Sequence, residues 1–164
     1  MPRRKLVTLE NTKFIYKTNF SGNPENDKYG SRSRRGNIII PTEALAQEID
    51  DAGIDVKMTK PRDGEEEGFK PVLFMPILVK YDSEFAKERP PKVYIVAGNS
   101  EPRLLDEESI GLIDMSYVIN VNATIEIAYL KNYDRYAAYV RTMYVEVEAD
   151  DDPFADRYHK AVEE

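Results

Sequence analysis

The stretch Tyr117–Tyr129, YVINVNATIEIAY, constrains the fold more than any other part of the chain. Its odd positions are Tyr117, Ile119, Val121, Ala123, Ile125, Ile127 and Tyr129, and its even positions include Asn120, Asn122, Thr124 and Glu126. Alternation with a period of two sets one face of a strand in the core and the other in water. After a turn over Lys131–Tyr136 the pattern resumes in Ala137–Glu148, with Tyr139, Met143, Val145 and Val147 inward and Arg141 as the exception. The frame of the fold is therefore a sheet.

The remaining elements fit that frame. Lys5–Phe20 reads as one long strand or two shorter ones, interrupted at Asn11-Thr12. Asn37–Ile40 and Ile54–Lys60 are further strands. Val72–Val79 is nearly all apolar, which suits burial on both faces, although Pro76 lacks an N–H and favours an edge or a bulge. Lys92–Ala97 is expected to pair with it as a hairpin across the polar connection Asp82–Pro91. A helix is predicted over Thr42–Ala52, capped by Thr42, with an apolar stripe of Leu45, Ile49 and Ala52 and a stop at Gly53. A second, over Asp106–Met115, has Asp106 as cap and Ile110 and Ile113 inward, and Gly111 weakens it. With no βαβ alternation and no internal repeat, the expectation is a mainly β fold. An antiparallel sheet closed into a small barrel with two short helices leaves no exposed edge; an open α+β sheet is the alternative.

A chain of 164 residues fits one domain with a real core, and a hydrophobic fraction of 41% argues against global disorder. The absence of cysteine excludes disulfides, thiol catalysis and cysteine metal sites, and suits a reducing cytosol. No apolar run approaches the roughly 18 residues that a membrane span needs. The N-terminal Met-Pro-Arg-Arg-Lys lacks the apolar core of a signal peptide. The net charge of −7 is unevenly spread: residues 1–36 carry +6, residues 37–140 carry −8 and residues 141–164 carry −5. A chain that is acidic overall can still meet phosphates through a local basic face.

Three arginines of that basic end are concentrated in Thr18–Pro41, TNFSGNPENDKYGSRSRRGNIIIP. Gly22, Pro24, Asn26 and Gly30 break the stretch into a loop, and Arg32, Arg34 and Arg35 precede the strand. A loop with arginines and Tyr29, attached to a sheet, can contact phosphates and stack on bases; the plainer reading is a solvated loop that carries charge. Tyrosine beside a cation recurs: Tyr16 with Lys17, Tyr29 with Arg32, Tyr81 with Lys80, and Tyr133 and Tyr136 with Lys131 and Arg135. The chain has 11 Tyr and no Trp, so any stacking platform must use Tyr and Phe. Each such tyrosine alone is more often a core or surface residue, and the recurrence is the signal. Tyr16 and Phe20 share one face of an extended strand, as core side chains or as base platforms. Lys57 and Lys60 add cations near the end of their strand.

The run Asn19-Phe20-Ser21-Gly22, the Tyr29-Gly30 turn, and the strand leading into Glu43-Ala44-Leu45-Ala46 and then Gly53-Ile54-Asp55-Val56-Lys57 resemble bacteriophage single-stranded-DNA-binding proteins with an OB fold. The resemblance covers most of the chain. It implies an OB-like barrel over residues 1–148, an acidic, flexible tail over residues 149–164, and a place in phage replication or recombination in the cytoplasm of the host bacterium. It further implies single-stranded DNA as ligand, bound without strong sequence preference by a monomer or a homodimer. Asp150, Asp151, Asp152 and Phe154 are similar to the acidic tip with which such proteins engage replication or recombination partners: a ring fills a pocket while carboxylates meet a basic rim. Here ten residues follow Phe154, so a pocket that reads a terminal carboxylate could not use it in the same way. The tail can also occupy the protein's own basic groove, or act only as an acidic solubilising segment.

Catalysis finds little footing. The one histidine, His159, lies in the charged tail, where a general base has no packing to hold it. No phosphate-binding loop, nicotinamide fingerprint or paired-histidine zinc motif occurs. The acidic run Glu65-Glu66-Glu67 lacks the alternating ligands and turn glycine of a calcium loop. Asp82, Glu84, Asp114 and Glu126 could converge as a two-metal nuclease, but nothing in their spacing favours it. The expectation is a non-enzymatic protein without metal, cofactor or membrane association. The alternative is a phage structural or assembly protein with no affinity for nucleic acid.

Overall fold

The computed structural model describes residues 5–26, 32–61, 63–81, 89–98 and 100–148. In chain order its elements are β1 (Lys5–Thr12), β2 (Phe14–Asn19), a 3-10 turn (Pro24–Asn26), β3 (Arg34–Ile39), α1 (Glu43–Asp51), β4 (Lys57–Met58), β5 (Leu73–Val79), β6 (Lys92–Ala97), β7 (Arg103–Leu105), a 3-10 helix (Ile110–Met115), β8 (Val118–Leu130) and β9 (Arg135–Val147). The long β8–β9 hairpin that the alternation predicts is its backbone, paired from Val118↔Val147 to Leu130↔Arg135. Thr42 caps α1 as expected, its hydroxyl accepting the Leu45 amide at 3.1 Å.

The strands form one sheet along the path β1-β8-β9-β5-β3-β2, with β4 on β5 and the β6–β7 pair on β9. It is open, since β1 and β2 at the ends of the path do not pair, and mixed, since β5 and β6 both run parallel to β9; it is not the closed antiparallel barrel expected. The strands at the two ends of the path are nonetheless consecutive in the chain. Only Lys13 separates β1 from β2, and a left-handed Asn11 (φ 53°) bends the backbone there. β1 pairs with β8 while β2 pairs with β3. The bend is held where the Thr12 hydroxyl donates to the Ile39 carbonyl at 2.6 Å and the Lys13 carbonyl accepts the Ile39 amide at 2.9 Å.

The expected hairpin of Val72–Val79 with Lys92–Ala97 is corrected as well. Those strands share one edge of β9, where Leu78 meets Tyr139 and Lys92–Ala97 meets Thr142–Val147. The 13 residues of β9 give an edge longer than either strand can fill alone. Pro76 falls between the part of β5 that pairs with β4 and the residue that pairs with β9, so on that edge it interrupts no ladder.

One face of the sheet is the core. Ile125, Ile127, Met75, Ile77, Val93 and Met143 are almost wholly buried there, together with Ala46 and Ile49 of α1 and Ile110 and Ile113 of the 3-10 helix. The register of β9 slips near Arg141, between the pairs Thr124↔Thr142 and Ile125↔Val140. Ala138 and Val140 are buried before the slip, and Met143, Val145 and Val147 after it. Tyr139, expected inward, therefore stands on the opposite face, because a bulge reverses side-chain parity. That second face is not covered by either helix. Among the described residues no helix is long and apolar enough to cross a membrane.

Candidate nucleic-acid interface

The basic loop leaves β2 at Asn19 and rejoins the sheet at Arg34, and both of its ends are tied down. Asp114, in the 3-10 helix, accepts the Thr18 hydroxyl at 2.6 Å, the Phe20 amide at 2.9 Å and the Ser21 amide at 3.0 Å. From the opposite side the Arg34 guanidinium donates to the carbonyls of Phe20 at 3.0 Å and Ser21 at 2.7 Å. Charge-assisted bonds on both the donors and the acceptors of one turn fix its position. Gly22 continues that turn at φ +71°, with the Arg32 carbonyl 2.9 Å from where a Cβ would sit. Only glycine meets both conditions.

The same turn buries Phe20 completely, its ring against Gly36 and 5.4 Å from Phe14. Phe20 is thus a core side chain with no free face for a base, a correction to its place among the candidate contacts.

Beyond the clamp, Arg32, Arg34, Lys80, Tyr81 and Tyr139 line a groove of about 430 Å³, with Glu107 at its side. The Arg34 guanidinium lies over the Tyr81 ring at 5.8 Å, so one side chain holds the turn and covers the ring. Burial pushes the Tyr81 phenol up to about 12; Arg34 opposes the shift and Asp106 and Glu107 add to it. The hydroxyl is therefore a neutral donor at physiological pH, and it has no hydrogen-bond partner among the described residues. The groove thus offers aromatic surface and the cations of Arg32 and Lys80, while the Tyr81 hydroxyl itself is buried.

The side of the groove formed by Leu78 and Tyr139 continues along the uncovered face. Arg35 pairs with Leu78, Asn37 with Pro76, and Ile39 with Phe74, which in turn pairs with Lys57. Tyr16 meets the edge of this surface from a bulge in β2. Its backbone is left-handed (φ 63°), its side chain is 63% exposed, and its ring lies 5.4 Å from that of Phe74 in an edge-on contact. A bulky residue in that backbone region is strained, and here the strain turns an aromatic ring outward. Lys17, Lys57 and Lys60 are exposed.

The third group of candidates surrounds the β8–β9 turn. Tyr133 is 71% exposed with Arg135 over its ring at 5.4 Å, and Lys131 is exposed beside it. Tyr129 donates a hydrogen bond to Asp134 across the turn. Tyr136 has a packing role as well: its ring lies 5.1 Å from Tyr129 and presses on Gly53, beyond the end of α1. The cation–aromatic pairs read from the sequence are therefore real for Arg135 with Tyr133. For Tyr81 the nearest ring-covering cation is Arg34, which sequence adjacency did not point to.

Tyr29, Asp150, Asp151, Asp152 and Phe154 lie outside the described residues, as do Asp82 and Glu84. Of the four carboxylates weighed as a metal centre, Asp114 is taken up by the loop turn and Glu126 is buried against Arg141 at 3.5 Å. Tyr139 was missed because the bulge that exposes it leaves no mark in the sequence. Tyr94 and Tyr144 were also missed; each sits between two buried apolar residues, and that alternation would have turned both outward.

A family model described as "Putative phage ssDNA-binding domain" matches residues 2–163 of the chain. No curated protein and no solved structure matches it.

Proposed function

The chain belongs to that phage ssDNA-binding domain family, and from this premise we propose that it is a non-enzymatic protein that coats single-stranded DNA with little sequence preference. The observation that carries the reading is the meeting of Arg32, Lys80, Tyr81 and Tyr139 in one groove at the end of β3 and β5. Cations follow the phosphates of any strand, and a ring face accepts any base. No side chain in the groove needs to read a base edge.

The strand path supports an OB-like reading of the open sheet. Taken as one bent strand, β1 and β2 form the first strand of a five-stranded, partly open Greek key, followed by β3, β5, β8 and β9. In that reading the basic loop joins the first and second strands, and the Lys131–Asp134 turn joins the fourth and fifth. Those two loops and the face of the second and third strands are where such folds hold oligonucleotides. Arg32 falls on the first of these loops and Lys131 and Tyr133 on the second, while Tyr16 and Lys17 lie on the first strand and Lys57 on β4. The acidic tail, with Asp150–Asp152 and Phe154, would recruit replication or recombination proteins in the host cytoplasm, or compete with DNA for the groove.

Fluorescence anisotropy of a labelled oligo-dT, at low and moderate salt and beside duplex of equal length, tests the function. Binding that prefers the single strand and weakens as salt rises is the expected result. Absence of binding at low salt would overturn the proposal and leave a structural or assembly role in its place.

A further inference from the structure

We propose that the β6–β7 arm extends the single-strand track, with Tyr94 and Tyr144 forming a second base-stacking platform. The inference rests on the reading of the chain as a single-stranded-DNA binder.

Tyr94 of β6 and Tyr144 of β9 are direct partners in the parallel ladder, and their rings stack at 4.7 Å with only 8° between their planes. Their neighbours Val93, Ile95, Met143 and Val145 are buried, so both rings stand on the face opposite the core. Tyr144 is 38% exposed, and Leu104, which pairs with Tyr94 from β7, is 61% exposed. Two stacked rings and an apolar side chain thus lie in one row of a sheet surface with nothing packed over them among the described residues. A cross-strand pair adds stability, but it does not require the rings to stay open to solvent.

The next row supplies charge. Lys92 pairs with Thr142, and Thr142 with Thr124, two residues along each strand from the tyrosines and on the same face. Lys92, Arg89, Arg141 and Thr142 line a groove of about 410 Å³ there. Arg141 is held by Glu126, which leaves Lys92 and Arg89 to meet phosphate. Along β9 the order is Tyr139 in the first groove, Arg141 and Thr142 in the second, then Tyr144 at the platform. Cations between two aromatic sites on one strand face match the alternation of phosphate and base along a single strand. The occupant is a longer stretch of the strand already held in the first groove.

The test uses the full chain and dT oligonucleotides from about 4 to 16 nucleotides, the range of site sizes of one such fold. For the native protein, affinity is expected to go on rising after the first groove is filled. The double change Tyr94→Leu with Tyr144→Leu should weaken binding of the longest oligonucleotides roughly tenfold and leave the shortest unchanged. Tyr94→Phe with Tyr144→Phe, which keeps both rings, should match the native protein at every length. An unchanged length dependence in the leucine variant, or an equal loss at all lengths, overturns the inference while the function stands. Failure of the native protein to bind any length overturns the function as well. Chemical nitration of the native protein needs no variant: Tyr144 should be shielded by the longest oligonucleotide and not by the shortest, and equal labelling in both refutes the platform.

Discussion

The carboxylate of Asp114 accepts the backbone amide of Phe20 at 2.9 Å, across 94 residues of sequence. Through this bond and its two neighbours, the 3-10 helix before β8 sets where the basic loop begins. Arg34 closes the same turn from the carbonyl side. The basic loop is therefore anchored by residues whose own charges are engaged within the fold.

Asp114→Ala removes an ionised acceptor from three donors, two of them backbone amides. The expected loss of stability is about 2–4 kcal/mol, since hydrogen bonds to charged groups are worth more than neutral ones. Urea unfolding measures it. A loss below about 0.5 kcal/mol would show that water replaces the carboxylate and that the turn does not need it.

Salt dependence separates the roles of the cations. Arg32→Ala and Lys80→Ala should each lower the slope of log affinity against log salt by about 0.7, the share of one single-strand phosphate. Arg34→Ala should weaken binding and destabilise the fold by about 2 kcal/mol, because it strands two carbonyls. Its slope should stay close to that of the native protein. A loss of about 0.7 from the slope would instead make Arg34 a phosphate ligand.

Tyr81 ties stability to alkaline pH. Its phenol titrates near 12 in the folded protein against an ordinary value of 10.0, raised mainly by burial. Between those values the unfolded chain releases a proton that the folded chain retains. The contribution of the neutral phenol is thus complete below pH 10 and lost as pH rises through 12. For a group only half buried the effect is about 1 kcal/mol once solvent screening is allowed for. Tyr81→Phe should flatten stability between pH 10 and 12 by that amount, leaving the slope due to Tyr139, which burial also raises. At pH 7 the same substitution should be neutral or slightly stabilising, as the hydroxyl has no partner among the described residues.

Gly53→Ala tests the contact between α1 and the β8–β9 turn. A Cβ there would lie 2.3 Å from the Tyr136 ring, on a backbone at φ +110°. Strain and overlap together should cost about 2–4 kcal/mol in thermal or urea unfolding. Gly64, at φ +89° with open space around it, is the control: Gly64→Ala carries the backbone strain alone and should cost about 1 kcal/mol. Equal losses at the two sites would mean that Tyr136 moves aside freely.

Much of the fold was legible where a pattern repeats or a cap is local. The alternation of Tyr117–Tyr129 gave β8, and Thr42 with Gly53 bounded α1, because period and capping depend on near neighbours. The groove was partly legible: Arg32, Lys80 and Tyr81 were named for their residue types, and the structure brings them together. Phe20 shows the limit of that reasoning. Its parity allowed a platform or a core residue equally, and only the turn held by Asp114 and Arg34 sends it inward.

By itself the sequence determined a mainly β chain, its longest strands, its first helix and the gathering of basic charge toward one end of the chain, since all of these follow from residues near one another. The tertiary structure alone decided that β5 and β6 divide the edge of β9, that a bulge at Arg141 turns Tyr139 outward, and that Tyr94 stacks on Tyr144. The reason is physical: strand pairing joins segments far apart in the chain, and a one-residue slip reverses every side chain beyond it without changing a single residue's own preference.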